Sequence, residues 1–446
     1  MSSHSRLAPL SALAFGIIAA LACAPAAQAA GFQLKENSVK AMGRAFAGAS
    51  SAPGDASVVA NNPAAMSRFE RNAVQADVTV VDFSATFTGG GTTAFGTPLS
   101  GGDGGDAGGT TPIPALSAIF PVGDSGLTVG AMVSAPFGLK TEYEPTWVGR
   151  YHAIKSELKV VDLTLSAALE INDRFSVGLG LIYERAEAEL SNAIDFGSAL
   201  AGGGVPGFAP QSADGLVVVK GNHTGLGWIA GLHLRPTDRV TLGFSYRSEI
   251  DHDVRGSADF SVPGNVAAVF AATGNPRFRD TGALAPLTLP SIATLSGSYK
   301  LGDRFTLLGA ASETGWSSMR AVVIQYDNPS QGTTVEPFGW EDSRFYSLGA
   351  EYALNDRFTL RAGIARDHTP TNDVDRSPRL PDQNRDWASL GLSWQASQAL
   401  EVNAAYTHIS VDTPTLNNVA SSSGSRLRGE YDARVHLLGL SAQYRF

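Results

Sequence analysis

Apolar and polar residues alternate along most of this chain with the two-residue period of a β-strand. In the run from Val240 to Arg247, large apolar side chains occupy the even positions and polar or small residues the odd ones. The runs 161–169 and 358–364 repeat the pattern, and Arg361 and Glu401 fall on polar faces. A charged residue in a dry core is costly without a partner, whereas a wet barrel interior removes that cost. The alternation therefore predicts strands with one lipid-facing side and one lumen-facing side.

A short polar turn recurs between these runs. Near-identical copies of Asn-Asp-Arg-Phe stand at 172–175, 237–240, 302–305 and 355–358, with looser copies at 123–126 and 396–399. Six short turns join twelve strands in pairs, and one more strand at each end makes fourteen. Bacterial outer-membrane barrels have even strand numbers, with short turns at one rim and long loops at the other. We predict an all-β fold, a 14-stranded antiparallel transmembrane β-barrel over residues 73–446.

Both ends of the chain carry signals of export to the outer membrane. Residues 1–29 have the pattern of a signal peptide: Arg6, an apolar stretch at 7–24 and a small-residue cleavage site at 27–29. The last strand alternates up to the terminal Phe446, which resembles the recognition signal of the outer-membrane assembly machinery. We therefore expect location in the outer membrane of a Gram-negative bacterium. The assembly machinery and the membrane lipids are the expected partners.

Composition excludes several classes of protein. The one cysteine, Cys23, lies in the predicted signal, so no disulfide framework or thiolate site is expected in the mature chain. After the signal, no apolar run reaches the roughly 18 residues that a membrane helix needs. The formal net charge of -9 argues against a nucleic-acid partner.

Residues 30–72 do not alternate and are rich in small residues, with short helical turns expected around 39–46. In an even-stranded barrel both chain ends lie on the periplasmic side, so a segment before the first strand can fold into the lumen. An unplugged barrel of this width would be an open water channel. We predict that residues 30–72 form a hatch.

Several motifs resemble one family. The stretches 30–34 (Ala-Gly-Phe-Gln-Leu), 43–48 (Gly-Arg-Ala-Phe-Ala-Gly) and 62–66 (Asn-Pro-Ala-Ala-Met) resemble the N-terminal hatch of the FadL family of outer-membrane long-chain fatty acid transporters. Later motifs, among them 246–249 (Tyr-Arg-Ser-Glu) and 381–385 (Pro-Asp-Gln-Asn-Arg), follow in family order over the mature chain. The resemblance identifies five hatch residues: Gly43, Arg44, Asn62, Pro63 and Ala64.

The resemblance also implies a function. Family members take up a hydrophobic ligand at the extracellular loops, pass it to an internal pocket and release it sideways through the wall. Long-chain fatty acids are the first candidate ligand, carried by passive diffusion without a cofactor. Some relatives carry aromatic hydrocarbons, and the TodX-like channels keep that alternative open.

Pro136 interrupts an otherwise alternating run, 127–139, in the predicted third strand. Proline cannot donate to a ladder, so within a closed barrel it implies a bulge, an inward kink or a gap. The family's lateral opening is at a kink in this strand, which places the gate at Ala135, Pro136, Phe137 and Gly138. The alternative is that the strand frays here, above the membrane.

Two predicted extracellular loops are apolar. Phe196 and Phe208 lie in the first, and Phe260 and Phe270 in the second. Exposed apolar loops must pack on each other or on an apolar ligand. Mutual packing is the simpler interpretation, and a groove left between the loops would admit the ligand.

A fatty acid also needs a buried cation or backbone amides for its carboxylate. Arg185 aligns with a basic stretch of the family and is the candidate. A neighbouring basic position of the family is Glu187 here, which leaves the charge of the ligand open.

Two rival functions differ in class. An outer-membrane barrel enzyme such as a phospholipase needs a nucleophile, a base and a group that orients the base. The histidines show no metal spacing and no nearby Gly-x-Ser-x-Gly motif, so we expect no catalytic residue and no metal site. A porin for polar solutes would lack the hatch.

Overall fold

The computed structural model describes residues 31–446, so the predicted signal peptide lies outside the described residues. This part of the chain forms one large sheet. Its strand segments are β1 Ala73–Thr92, β2 Gly109–Pro121, β3 Leu127–Ser134, β4 Gly138–Glu142, β5 Lys155–Asn172, β6 Phe175–Asp195, β7 Asp214–Thr237, β8 Val240–Arg247, β9 Ile250–Ser261, β10 Thr281–Leu289, β11 Ile292–Leu301, β12 Phe305–Thr314, β13 Ala321–Tyr326, β14 Thr334–Pro337, β15 Ser343–Ala353, β16 Phe358–Asp367, β17 Arg385–Gln395, β18 Leu400–Val411, β19 Thr415–Val419 and β20 Arg426–Arg445.

The helices of the described residues are short. They are α1 Val39–Met42, α2 Val58–Asn61, α3 Phe196–Gly202, α4 Gly264–Thr273 and two 3₁₀ helices, Pro63–Arg68 and Trp316–Ser318. In this part of the chain no helix has the length and apolar character to cross a membrane.

The segments make a closed barrel. β1 pairs with β20 from Ala73↔Arg445 to Thr92↔Arg426, which joins the first strand to the last. Six barrel strands are interrupted and therefore appear as two consecutive segments: β3–β4, β8–β9, β10–β11, β12–β13, β14–β15 and β18–β19. The predicted 14-stranded antiparallel barrel is confirmed.

The turns and faces also follow the prediction. All six predicted short turns connect neighbouring barrel strands, as between β5 and β6 or between β7 and β8. Leu242 and Phe244 are exposed on the outside, whereas Arg361 and Glu401 are buried inside. The two-residue period thus separates a lipid-facing surface from a polar interior.

The wall rises well above the membrane on one side. β6 and β7 are 21 and 24 residues long, whereas a tilted strand crosses a membrane with about 9–11 residues. The extra length belongs to the rim that carries the long loops, and it brings α3 and α4 together there. Phe196 of α3 and Val266 of α4 pack in one apolar cluster.

The segment before β1 lies inside the barrel. It contacts β17, β18 and β20 through α1, and β5, β6 and β7 through the 3₁₀ helix Pro63–Arg68. Only Val39–Met42 of the expected helical stretch is α-helical. Ala45 and Phe46 follow with φ of 51° and 60°, left-handed values that end the helix.

Candidate functional site

Glycines of the wall let the N-terminal segment approach the barrel at backbone distance. A Cβ built on Gly178 of β6 would lie 2.3 Å from the backbone N of Ala64. A Cβ on Gly43 would lie 2.8 Å from Cα of Gly391 on β17. A side chain at either position would clash with the opposing backbone, so the segment packs backbone to backbone against the wall.

Asn62 links this segment to the wall. Its side-chain amide donates to the carbonyl of Ser50 at 2.7 Å and to that of Leu232 on β7 at 3.0 Å. Its Oδ1 accepts from the N–H of Ala64 at 3.2 Å and caps the 3₁₀ helix that starts at Pro63. The Asn-Pro-Ala motif is therefore a helix cap and an anchor at once.

Buried ion pairs hold the segment from the other side. Nη1 of Arg44 lies 2.5 Å from Oε1 of Glu351 on β15, and the same oxygen accepts from Arg361 at 2.8 Å. Nζ of Lys40 lies 2.7 Å from Oε1 of Glu401 on β18. Since a buried charge without a partner is strongly destabilising, these pairs fix the register of the segment in the lumen.

The wall is broken at Pro136. β3 ends at Ser134 and β4 begins at Gly138, and both segments pair with β5, so the strand is kinked inside the wall and does not fray at its end. The N–H of Leu34 donates to the carbonyl of Pro136 at 2.7 Å, and the N–H of Gly138 donates to the carbonyl of Phe32 at 2.8 Å. The N-terminal segment therefore pairs with the kink itself.

On the other side of the kink, β2 loses its neighbour. The β2–β3 ladder ends at Leu116↔Val133, and the strands meet again where the N–H of Glu142 donates to the carbonyl of Ala107 at 3.1 Å. Between these contacts, Pro112 and Pro114 of β2 have no ladder pairing with the kinked strand in the structure as described. We call this gap, bounded by residues 108–115 and 134–141, the window.

A small cavity lies between the N-terminal segment and the wall beside the window. Its volume is about 100 Å³, and Leu34, Phe46, Pro136, Arg247 and Phe345 are among its lining residues. A water molecule takes up about 30 Å³ of liquid, so this space holds a few waters and is too small for a long alkyl chain. A large ligand can pass here only if the N-terminal segment moves.

A much larger groove opens between the extracellular loops. Its volume is about 860 Å³, and Phe196, Phe260 and Phe270 line it together with Tyr326. Phe208, the fourth predicted residue, is not among the lining residues and packs instead in the cluster around Phe196. The loops thus pack on each other and still leave a groove.

Arg185 corrects a sequence-based prediction. Its side chain is 52% exposed on the outside of β6 and pairs with Glu187 at 2.8 Å, so it lines neither cavity. The sequence held the signal for this outcome, because Leu181, Tyr183 and Arg185 share one parity and the first two face lipid.

Arg379 is the cation that sequence reasoning missed. It lines the groove with only 4% of its side chain exposed. Nη1 donates to Oγ of Ser156 and Nη2 to Oδ1 of Asn192, both at 3.2 Å, while the nearest carboxylate oxygen, on Glu336, is 4.0 Å away. Burial lowers the pKa of Arg379, but a guanidinium stays charged in proteins. Its loop lacks any periodic pattern that could have pointed to it.

Apolar contacts run without interruption from the groove to the window. A single cluster contains Phe260, Ile324 and Tyr326 of the groove and Phe32 and Phe137 at the kink, with Trp316 and Trp340 packed against Phe32. One apolar cluster therefore extends from the groove to the window.

Comparisons with known proteins agree with this architecture. A sequence profile described as "Outer membrane protein transport protein (OMPP1/FadL/TodX)" matches residues 20–446. The long-chain fatty acid transport protein of Escherichia coli K12 is 28% identical over 404 residues, which covers 86% of this chain and 88% of that protein.

Two solved structures are similar. The crystal structure of a Pseudomonas aeruginosa FadL homologue superposes with a TM-score of 0.88 at 30% identity and covers 94% of this chain and 100% of that one. The Pseudomonas putida toluene transporter TodX has a TM-score of 0.68 at 16% identity and covers 93% and 99%. At that identity the second likeness concerns the fold alone.

Proposed function

This chain belongs to the family of outer-membrane transport proteins that includes FadL and TodX, and from that premise we propose that it carries long-chain fatty acids. The family consists of transport channels in the outer membrane of Gram-negative bacteria and not of enzymes, and its substrates are hydrophobic small molecules. In the proposed route, the ligand binds in the extracellular groove, passes the cavity beside the hatch and leaves sideways through the window.

The observation that carries the proposal is the groove with its buried arginine. A volume of about 860 Å³ falls within the range of about 300–1,000 Å³ that is usual for small-molecule sites. Its aromatic lining would bury an alkyl chain. At the same place Arg379 presents a charge whose nearest carboxylate oxygen among the described residues, on Glu336, lies 4.0 Å away, beyond hydrogen-bond distance.

A carboxylate would complete the hydrogen bonding of Arg379. Its Nε has no hydrogen-bond partner in the described structure, and both terminal nitrogens bond only to neutral groups. Charge-assisted bonds from a guanidinium to a carboxylate are about twice as strong as neutral ones. An aromatic hydrocarbon would leave Arg379 with only the long ion pair to Glu336, at 4.0 Å, which is why we favour a fatty acid.

The exit is proposed at Ala135–Gly138 for a similar reason. Diffusion of the ligand down its concentration gradient needs no energy source, but it needs apolar surroundings and an opening in the barrel wall. The apolar cluster provides the apolar surroundings, and the window provides the opening. The cavity of about 100 Å³ beside the window requires the hatch, including Gly43, Arg44, Asn62, Pro63 and Ala64, to shift before a ligand passes.

The carboxylate assignment is tested by comparing oleate with oleyl alcohol, which has the same chain without the charge. In the Arg379→Met variant of the purified, detergent-solubilised protein, we expect oleate affinity to fall by about tenfold to a hundredfold, the effect of losing charge-assisted hydrogen bonds. Affinity for the alcohol should change little. Arg277→Met is the matched control, because Arg277 is an exposed arginine of the same groove.

Each outcome distinguishes two ideas. An equal loss of both ligands would remove the carboxylate role and leave only a structural one. If toluene competes for the site and oleate does not bind at all, the fatty acid assignment is wrong and the channel is one for aromatic hydrocarbons. Heat-modifiable migration on gels checks that each variant still forms the barrel.

We also propose that Phe446 is read by the outer-membrane assembly machinery. Its ring is half exposed at the rim of the short turns and stacks on Tyr444 at 5.9 Å. Its N–H donates to the carbonyl of Asn72 at 3.0 Å, so the terminal residue is held in place beside the first strand.

A further inference from the structure

Two prolines stand on the edge of the window. β2 contains Pro112 and Pro114, separated by Ile113. On one side they pair in register with Val80 and Val78 of β1, and on the other side they border the window. Proline is tolerated in a sheet where its nitrogen is not required to donate, so the direction in which these nitrogens point decides what they do.

The hydrogen-bond pattern gives that direction. The N–H of Ala107 donates to the carbonyl of its partner Ala85, and the β1–β2 register continues without a shift from Phe83↔Gly109 to Ala73↔Ile119. In an antiparallel ladder, alternate residues bond to opposite neighbours. The odd residues of β2 therefore bond to β1, and the even residues face β3. At the lower end, the N–H of Val122 donates to the carbonyl of Leu127 beside β3, which agrees with this assignment.

The nitrogens of Pro112 and Pro114 therefore point into the window. Continuing the ladder upward from Leu116↔Val133 would place Pro114 opposite Ala135 and Pro112 opposite Phe137. Other residues at 112 and 114 would offer two N–H donors to this edge, whereas proline offers none. The β2 edge of the window thus lacks the donors needed to close it.

The opposite edge is covered by the N-terminal segment. The carbonyl of Pro136 and the N–H of Gly138 bond to Leu34 and Phe32. When this segment withdraws to let a ligand pass, those groups lose their partners, and unpaired backbone groups seek new ones. The nearest candidate partners are on β2. A β2 strand with N–H donors at positions 112 and 114 would pair with the kinked strand and close the window.

We propose that Pro112 and Pro114 are positioning residues that keep the window open after the N-terminal segment has moved. They deny β2 the donors with which it would pair to the kinked strand. The inference rests on the proposed lateral exit, and it adds that the opening is built into both edges of the window and not into the Pro136 kink alone.

The test restores the donors. In the Pro112→Thr/Pro114→Thr double variant, expressed as the full chain, we expect oleate uptake by cells to fall by about tenfold, the scale of one to two net hydrogen bonds. The amides of residues 110–115 should become protected against hydrogen exchange in the purified protein. Pro121→Thr is the matched control: Pro121 lies on the same strand, but its odd position turns its nitrogen toward β1, so uptake should stay at the unmodified level.

A second arm tests the exit by itself. Ala135 borders the window and Ala131 lies on the same strand in the closed ladder, paired with Ala118. After removal of the predicted signal, which contains Cys23, each alanine can be replaced by a unique cysteine. A bulky maleimide on Ala135→Cys should block uptake, and the same reagent on Ala131→Cys should not.

The two arms separate the two ideas. If labelled Ala135→Cys transports oleate normally, the lateral exit and the route proposed through it are wrong, while the fatty acid assignment is tested separately at Arg379. If that label blocks uptake while the double variant transports like the unmodified protein without new amide protection, the role of the prolines is overturned and the exit stands. Should the double variant not assemble, the single variants Pro112→Thr and Pro114→Thr must each reduce uptake by a smaller factor, and normal uptake in both overturns the inference.

Discussion

At the scale of single residues, the N-terminal segment buries a carboxyl group, that of Glu36, in surroundings that disfavour its charge. Glu36 is 1% exposed. Its Oε2 accepts from the N–H of Lys35 at 2.9 Å, while Oε1 has no hydrogen-bond partner in the described structure. Burial raises the pKa of Glu36 to about 7, and the nearby charges of Lys35 and Arg385 only partly oppose this shift. Near neutral pH, part of the population therefore carries a charge on Glu36, only partly balanced by Lys35 and Arg385, beside the residues that bind the kink.

A pH dependence of hatch seating follows from Glu36. Because its pKa in the folded protein lies above the ordinary value of 4.5, its protonated form is stabilised by folding. The resulting stability is greatest at acid pH and is lost as pH rises from about 4.5 through about 7. We expect protection factors for the amides of residues 31–37, corrected for intrinsic exchange, to fall between pH 5 and pH 8.

The Glu36→Gln variant isolates this contribution, since glutamine keeps the shape and cannot ionise. Its protection factors should lose the part of the pH dependence that Glu36 supplies. Desolvation lowers the pKa of the partly buried Lys35, so its contribution to stability runs in the opposite direction and remains in the variant. An identical pH profile in the variant and the unmodified protein would show that ionisation of Glu36 does not affect the protection of residues 31–37.

At the scale of elements, glycines of the barrel strands allow the backbone of the N-terminal segment to pack directly against the wall. A Cβ on Gly363 of β16 would lie 2.3 Å from the carbonyl carbon and oxygen of Arg44. Gly309 of β12 points outward, and a Cβ there would meet its nearest atom, on Leu348, at an ordinary 3.5 Å. The two strands are alike in length, so the pair separates the effect of seating from that of adding a methyl group to a barrel.

We therefore expect Gly363→Ala to unseat the hatch and Gly309→Ala to leave it in place. The added methyl group would push the Arg44 backbone away and strain its ion pair with Glu351. Ion conductance through single molecules in planar bilayers should rise or flicker in the first variant only. Equal, low conductance in both variants would mean that β16 moves to accommodate the methyl group at position 363 and that the N-terminal segment stays in place, which contradicts the prediction.

At the scale of the whole molecule, the N-terminal segment fills a barrel lumen that would otherwise conduct water and ions. A barrel of this strand number has room for a lumen, and residues 31–68 occupy it with both polar anchors and apolar packing. Deletion of residues 31–65 should leave the barrel able to form, because β1 begins at Ala73 and closes on β20. The ladder that closes the barrel is independent of the deleted segment.

The deletion should convert the protein into an open pore. Conductance in planar bilayers should rise severalfold, and uptake of small polar solutes by cells should rise with it. Heat-modifiable migration on gels verifies that the variant is a barrel. Low conductance in a correctly assembled deletion variant would show that other parts of the chain, such as the extracellular loops, close the lumen.

Local pattern determined most of the architecture. The two-residue alternation and the repeated polar turn were enough to predict fourteen strands and the lumen-facing side of Arg361 and Glu401. These features depend on residues that are neighbours in sequence, since side-chain direction and turn geometry are local properties of a strand. The same parity places Arg185 outside, although the resemblance to the family implied a ligand contact.

Only the tertiary structure decided the route through the molecule. The groove brings Arg379 beside Ser156 and Asn192, the kink brings Pro136 beside Leu34, and the window sets Pro112 and Pro114 against a missing neighbour. Each of these contacts joins parts of the chain that are distant in sequence and depends on how the barrel closes and how loops without periodicity pack. Alternation specifies which way a side chain points from its own strand, but it carries no information about what lies across the lumen from it.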